Sequence, residues 1–207
     1  MVTEQLERRG VRDEAVLGAL RTVPRHLFVP DDLREQAYED RPLSIGAGQT
    51  ISQPYVVAAM TEALQVGAGD RVLDIGTGSG YQAAVLAEVV SEVYSLELLP
   101  ELAETAAARL RRLHYTSVQV RRGDGAVGWP EAAPFDGIVV ACGAPEVPPA
   151  LLQQLAPGRR LVIPVGPAGD VMDLLVLEKD AEGSFRRRIL MPVRFVPFVS
   201  PRSGPAS

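Results

Sequence analysis

Val72-Leu73-Asp74-Ile75-Gly76-Thr77-Gly78-Ser79-Gly80 reads as a short buried strand, a glycine turn and the start of a helix. Val72, Leu73 and Ile75 supply an apolar run of strand length. Gly76, Gly78 and Gly80 let the backbone turn tightly and let a ligand approach it closely. Downstream, strands and helices alternate: strand 71–75, helix 80–90, strand 92–97, helix 100–113, strand 117–121, strand 135–141, a helix marked by Leu151, Leu152 and Leu155, and strand 160–165. This alternation predicts right-handed crossovers and a doubly wound α/β fold, its mainly parallel sheet covered on both faces. Beyond it, 174–178, 186–191 and 193–199 read as strands with no long helix between them, and Gly183-Ser184 as a hairpin turn. Antiparallel strands are therefore expected at one edge, followed by a loose tail over 201–207.

Upstream of the turn the chain looks helical. Residues 3–9 read as one helix stopped by Gly10. Asp13 can cap a second, with Val16, Leu17 and Leu20 on one face and Pro24 ending it. A third short helix is expected from Pro30 through Ala37 and Tyr38, capped by an aspartate. These helices would form a cover over the sheet. Residues 41–54 hold two glycines and two prolines and cannot be a long helix. A good helix follows over 55–65, with Val56, Met60 and Leu64 at helical spacing and Gly67 and Gly69 ending it.

Composition narrows the function. A chain of 207 residues is enough for one large core, and a single domain is the first expectation. The net charge of -5 gives a nucleic-acid partner no global electrostatic support. Cys142 is the only cysteine and His26 and His114 the only histidines, which leaves no internal disulfide and no multi-cysteine or multi-histidine metal site. No apolar run approaches the length of a membrane span, and the charged start lacks the apolar segment of a signal peptide. A cytoplasmic protein with no membrane or nucleic-acid partner and no bound metal is expected.

Two ligands compete for the glycine turn. The dinucleotide fingerprint is G-x-G-x-x-G/A, whereas Gly76 to Tyr81 spells G-x-G-x-G-Tyr. Pyrophosphate is an anion drawn to a helix N-terminus, and Asp74 beside the turn works against it. A ligand with positive charge fits better, and S-adenosylmethionine carries an ammonium and a sulfonium but no phosphate. Glu97, at the end of the next strand, is placed to accept from two ribose hydroxyls. Asp124, between Gly123 and Gly125 after the third strand, could accept from an adenine amino group. Each feature has a plainer reading: a structural turn, a helix-start charge before Pro100, a turn aspartate. Three carboxylates at three successive strand ends suit a cationic nucleoside.

With those residues in view, the chain resembles the protein-L-isoaspartate O-methyltransferases over roughly 23–199. The resemblance rests on Val23-Pro24-Arg25-His26-Leu27-Phe28-Val29-Pro30, Ala37-Tyr38-Glu39-Asp40-Arg41-Pro42-Leu43, Gly48-Gln49-Thr50-Ile51-Ser52-Gln53-Pro54 and the cofactor loop 73–84. Gly123-Asp124-Gly125, Trp129-Pro130, Ala133-Pro134-Phe135-Asp136 and Phe195-Val196-Pro197 follow in the family's order. The glycine loop is shared with many methyltransferases; the Gln49 to Pro54 block is far more specific. The resemblance implies a methyltransferase that esterifies the free α-carboxyl of L-isoaspartyl residues in damaged proteins, using S-adenosylmethionine and releasing S-adenosylhomocysteine. The ester then collapses to a succinimide, whose hydrolysis partly restores aspartate.

By resemblance, Ser52 stands at the reaction centre, with Thr50, Ile51, Gln53, Val196 and Pro197 on the substrate side. Asp74, Gly76 and Gly78 would hold the methionine part of the cofactor, Glu97 the ribose, and Asp124 and Gly125 the adenine side, with Thr77, Ser79, Gly80 and Leu98 also in the cofactor site. The domain then divides into a helical cover with substrate loop (1–54), a cofactor-binding core (55–166), edge strands (167–200) and the tail. A monomer is expected. The sequence departs from the family pattern at Ala47, Asp74 and Met172, where many members carry histidine, glutamate and glutamine.

The chemistry needs little acid–base help. An α-carboxyl, with a pKa of about 3.5, is already an anion at neutral pH. The enzyme has to bring carboxylate oxygen, methyl carbon and sulfur into line. A neutral hydroxyl at Ser52 orients one oxygen and leaves the other nucleophilic, so Ser52 reads as an orienting donor. Its plainer role is a helix-start residue near Pro54. His26 and His114 read as surface or packing residues, Cys142 as buried and inert, Trp129 as packing, and Arg186 to Arg188 as a solvated strand or turn. Three other readings stay open: a relative that esterifies a normal aspartate in one dedicated peptide, a cofactor-binding protein acting through protein contacts, and, weakest, a dinucleotide oxidoreductase.

Overall fold

A computed structural model describes residues 1–200. The tail expected over 201–207 lies outside the described residues. Residues Val2–Leu6 form a single π-helical turn that runs into a 3-10 turn, Glu7–Arg9, ended by Gly10 at φ 98°. The expected single α-helix there is thus two tighter and looser turns. Seven residues before a glycine stop are too few to propagate an α-helix on their own. Helix α1 spans Glu14–Thr22, and Asp13 caps it as expected, its Oδ1 accepting from the N–H groups of Ala15 and Val16. Such a cap is worth about 1 kcal/mol. Arg25–Phe28 and Asp31–Gln36 are 3-10 turns. The second replaces the expected third helix and has no side-chain cap.

The 41–54 segment folds into a small antiparallel hairpin of β1 (Leu43–Gly46) and β2 (Gln49–Ile51). Its turn is held by left-handed residues, Gly46 and Gly48 together with Ala47 at φ 50°. Helix α2 (Pro54–Leu64) follows at once, Pro54 taking the first-turn position where a missing N–H costs nothing. It ends in a left-handed Gln65, just ahead of the glycines expected to stop it.

The alternating unit then runs β3 (Arg71–Ile75), α3 (Tyr81–Ala87), β4 (Glu92–Glu97), α4 (Pro100–Arg112), β5 (Val118–Arg122), β6 (Phe135–Val140), α5 (Pro149–Gln154), β7 (Leu155–Val165), β8 (Met172–Lys179) and β9 (Phe185–Val193). The strands make one sheet in the order β5-β4-β3-β6-β7-β8-β9. The first five of these are parallel, and β8 and β9 add antiparallel at one edge, as the sequence pattern predicts. Two expected edge strands, 186–191 and 193–199, are instead the single β9. Residues 194–200 leave the sheet, and Pro197 makes an isolated bridge with Gly143.

Alternation along the strands sorts the core onto two faces. Val72, Val93, Val139 and Val162 pack under α1, α2 and α3, whereas Leu73, Leu96, Ile138 and Leu161 pack on the other face with Leu151 of α5. The N-terminal cover belongs to the first face, where Leu6, Leu17, Leu20 and Phe28 are buried. Chain order reverses between β3 and β6, and the carboxyl ends of those strands therefore open a crevice for a ligand.

Candidate active site

The glycine turn leaves β3 at that crevice. Gly76, Gly78 and Gly80 take φ values of 91°, 53° and 88°, a region that residues with a Cβ rarely enter. Gly76 and Thr77 donate their N–H groups to the carbonyl of Leu96 at 2.8 and 3.2 Å, which ties the turn to β4. Glu97, 7 % exposed at the end of β4, accepts from the Gly78 N–H through Oε2 at 2.8 Å and from the Leu99 N–H through Oε1 at 3.0 Å. Each carboxylate oxygen has further lone pairs to offer a ligand.

Asp74 sits one layer back. It is fully buried, and its Oδ2 accepts from the Ser95 hydroxyl at 2.7 Å. Ser95 lies 2.6 Å from the Thr77 hydroxyl, which reaches it from the turn. Among the described residues, Asp74 Oδ1 has no hydrogen-bond partner. Burial pushes the Asp74 carboxyl up to about 7; the Ser95 hydrogen bond pulls the other way, and the charge of Glu97 adds to the rise.

A cavity opens over the turn, walled by Gly76, Gly78, Glu97, Leu98, Gly123 and Gly125, with 196–199 across it. Among the described residues, Glu97 is the only charged residue in that lining, and no lysine or arginine contributes. Such walls offer nothing to a pyrophosphate and suit a nucleoside with positive charge. The unsatisfied Oδ1 of Asp74 beneath the turn adds negative potential to the same region. The residues present therefore fit S-adenosylmethionine. Gly125 is close-packed: a Cβ there would lie 2.4 Å from Ile75 Cγ2 and 3.2 Å from Phe198 Cζ.

Asp124 is placed differently from the sequence expectation. Its Oδ1 accepts from the Ala126 N–H at 2.9 Å and its Oδ2 from the Ser200 hydroxyl at 2.7 Å. Its neighbours Gly123 and Gly125 line the cavity and it does not. The carboxylate anchors the chain end that crosses the site.

The acceptor side is built by the β1–β2 hairpin. Thr50 lies on β2 and Ser52 just after it. A second cavity is lined by Thr50, Ser52, Gln53 and Tyr55 and, across from them, by Arg194 to Val196. Between the two cavities a narrow space separates Ile51 and Ser52 from Gly76 to Ser79. Thr50 and Ala141 line all three spaces, and Val196 lines both of the larger ones. The Ser52 hydroxyl caps no helix: α2 has no side-chain cap. Pro197 falls on the cofactor side of the site, Ile51 in the passage, and Gly80 on none of the three, its part being the turn itself.

Sequence reasoning missed Ala141, Cys142 and Phe198. Cys142 was expected to be buried and inert; burial does push its thiol well up, yet it lines the cofactor cavity. The available signal was topological: Ala141 and Cys142 follow β6, the strand at the switch point. His26 meets the Tyr38 hydroxyl at 2.7 Å and Trp129 packs edge-on to Tyr94, both away from these cavities.

Comparison with known proteins accords with this geometry. The family profile for protein-L-isoaspartate(D-aspartate) O-methyltransferase matches residues 1–203. The protein-L-isoaspartate O-methyltransferase of Opitutus terrae is 59 % identical over 96 % of this chain and 84 % of its own length. One from Marinobacter nauticus is 55 % identical over 99 % of this chain and 94 % of its own. Among solved structures, a protein-L-isoaspartate O-methyltransferase superposes with a TM-score of 0.84 at 30 % identity, covering 95 % of this chain and 65 % of that one. A Plasmodium falciparum structure assigned to the same activity, in complex with S-adenosyl-L-homocysteine, gives 0.81 at 26 % identity over 96 % of each chain.

Proposed function

This chain belongs to the protein-L-isoaspartate(D-aspartate) O-methyltransferase family, and from that membership we propose how its own residues carry out the family's reaction. It is an S-adenosylmethionine-dependent methyltransferase acting on the free α-carboxyl of L-isoaspartyl residues in proteins. The observation that carries the site reading is the meeting of two cavities at Thr50, Ala141 and Val196, one over a glycine turn with a carboxylate wall and one lined by Ser52, with a narrow space between Ser52 and the turn.

When bound, S-adenosylmethionine supplies an electrophilic methyl group on a positively charged sulfur. Glu97 is proposed to accept from the ribose hydroxyls while both its oxygens keep their backbone partners. Gly76 and Gly78 let the methionine part lie against the main chain, with Asp74 giving negative charge from below. Gly123 and Gly125 do the same for the adenine, with Asp124 fixing the loop through Ala126 and Ser200. On the other side, Ser52 donates to one oxygen of the incoming carboxylate. The acid arrives ionised, so no side chain needs to remove a proton. Thr50, Gln53 and Val196 shape the acceptor cavity, and Arg194 brings positive charge to the same lining. Water is kept from the reacting oxygen by Ile51 and Ala141.

We also propose that the chain works as one domain, with 1–54 as cover and substrate loop, 55–166 as cofactor core and 167–200 as edge strands. A cytoplasmic monomer without a nucleic-acid partner completes the reading. A net charge of -5 supports the last point. Among the described residues no helix is long and apolar enough to cross a membrane.

The test is methyl transfer from labelled cofactor to paired peptides that differ only in an isoaspartyl or aspartyl linkage. Labelling confined to the isoaspartyl peptide is expected. Equal labelling of both would favour an aspartate-directed relative and overturn the repair reading.

A further inference from the structure

Arg25 is the largest of the fully buried side chains, at 0 % exposure, and among the described residues no carboxylate lies within ion-pair distance of it. A buried cation without a carboxylate partner is costly, and an apolar side chain would fill the same volume more cheaply. Its contacts suggest why it is kept. Nε donates to the Ala37 carbonyl at 2.7 Å and Nη2 to the Ser52 carbonyl at 2.8 Å. The guanidinium carbon lies 4.7 Å from the centre of the Tyr81 ring, on the first residue of α3. Burial lowers the guanidinium from its ordinary value, with Tyr81 and Asp40 opposing.

The contact continues across the site. Tyr81 packs edge-on against Phe28 at 5.5 Å, and the Arg109 guanidinium carbon stands 5.9 Å from the Phe28 ring. Arg109 Nη1 donates to the Ser79 carbonyl at 2.6 Å. Two arginines thus hold two main-chain carbonyls, Ser52 on the acceptor side and Ser79 on the cofactor side. The edge-on rings of Tyr81 and Phe28 join them. Only a planar fork with several donors can serve the Ala37 and Ser52 carbonyls at once while lying over a ring; lysine offers a point charge.

We propose that Arg25 is a positioning residue for methyl transfer: it fixes the Ser52 main chain against Tyr81, so that the Ser52 hydroxyl faces the acceptor carboxylate beside the glycine turn. This rests on the role given to Ser52 above. Arg25 touches neither reactant and acts only through Ser52.

A double-mutant cycle separates that role from general support of the fold. Arg25→Lys, Ser52→Ala and the double variant are assayed for kcat and KM on an isoaspartyl peptide, with S-adenosylhomocysteine affinity by calorimetry and Tm alongside. Arg25→Lys is expected to lower kcat by about ten-fold or more while cofactor affinity stays within about two-fold. In the Ser52→Ala background the same change should cost less than about two-fold more. If the two losses multiply, or if Arg25→Lys turns over at the wild-type rate, Arg25 does not act through Ser52 and the proposal is overturned. A Ser52→Ala variant with full activity would instead sink the reading of Ser52. If Arg25→Lys does not fold, Tyr81→Leu removes the ring that seats the guanidinium, and the same non-additivity with Ser52→Ala is required of it.

Discussion

A hydroxyl at Ser52 can give a carboxylate one neutral hydrogen bond, which orients an oxygen without drawing off its charge. A cation there would bind the acceptor more firmly and blunt it as a nucleophile. Beneath the turn, Asp74 plays the opposite part, since its charge is held in reserve. With a native pKa of about 7 against an ordinary value of 3.8, the group binds more protons in the folded state than in the unfolded one. Its contribution to stability is therefore full below about pH 4 and falls as pH rises to about 7, by about 4 kcal/mol in all, and is constant above that. Asp74→Asn should remove the penalty. In urea unfolding of the ligand-free protein, the variant is expected to gain on the wild type between about pH 5 and pH 8. A stability difference that does not change with pH would show that Asp74 does not titrate in this range. The same proton must leave when positive charge arrives above it. Affinity for S-adenosylhomocysteine, through its ammonium group, should rise over that interval in the wild type and stay flat in Asp74→Asn, as calorimetry would show.

At the scale of elements, the site is a pairing of two loops with unlike origins. The glycine turn was legible because β3 is a short apolar run followed at once by three glycines, and each glycine does take a left-handed conformation. The β1–β2 hairpin was not legible. Its strands are three and four residues long and pair only with each other, so they carry no periodicity to read. The segment 193–199 was read as a strand because most of its residues are apolar. Val196 to Val199 instead wall the cofactor cavity, with Phe198 donating its N–H to the Gly143 carbonyl at 2.7 Å. Asp124 was read for its charge alone, and its bond to Ser200 joins residues 76 positions apart, a distance no local pattern reports. Two expectations belong here. Gly125→Ala would drive a methyl group into Ile75 and Phe198; about 1–3 kcal/mol of destabilisation is expected, with weaker cofactor binding, read as a lower Tm and a smaller Tm rise on adding S-adenosylhomocysteine. Asp124→Ala would remove the hydrogen bond to the Ser200 hydroxyl and is expected to weaken that ligand by about ten-fold, the value of one charge-assisted hydrogen bond. Unchanged affinity would show that the anchor does not matter to the cofactor.

For the whole molecule, the seven-stranded sheet fixes where chemistry can happen. Chain order reverses between β3 and β6, and the turn after β3, Glu97 at the end of β4, Gly125 after β5 and Ala141 after β6 all meet there. The alternation of elements made that sheet readable from sequence, down to its antiparallel edge. The cover was read as helical, and α1 is, yet Glu7–Arg9, Arg25–Phe28 and Asp31–Gln36 are 3-10 turns, because their residues are shaped by what they pack against; Arg25 has no local role that a sequence would disclose. The central claim is that the hairpin delivers Ser52 to the cofactor turn as an orienting donor. Single-turnover methyl transfer to an isoaspartyl peptide by Ser52→Ala, with S-adenosylhomocysteine affinity measured on the same sample, tests it most directly. A rate lower by about a hundred-fold, the usual cost of one placed donor, with affinity within about two-fold, is the expected result. A wild-type rate, or a rate and an affinity that fall together, would contradict it.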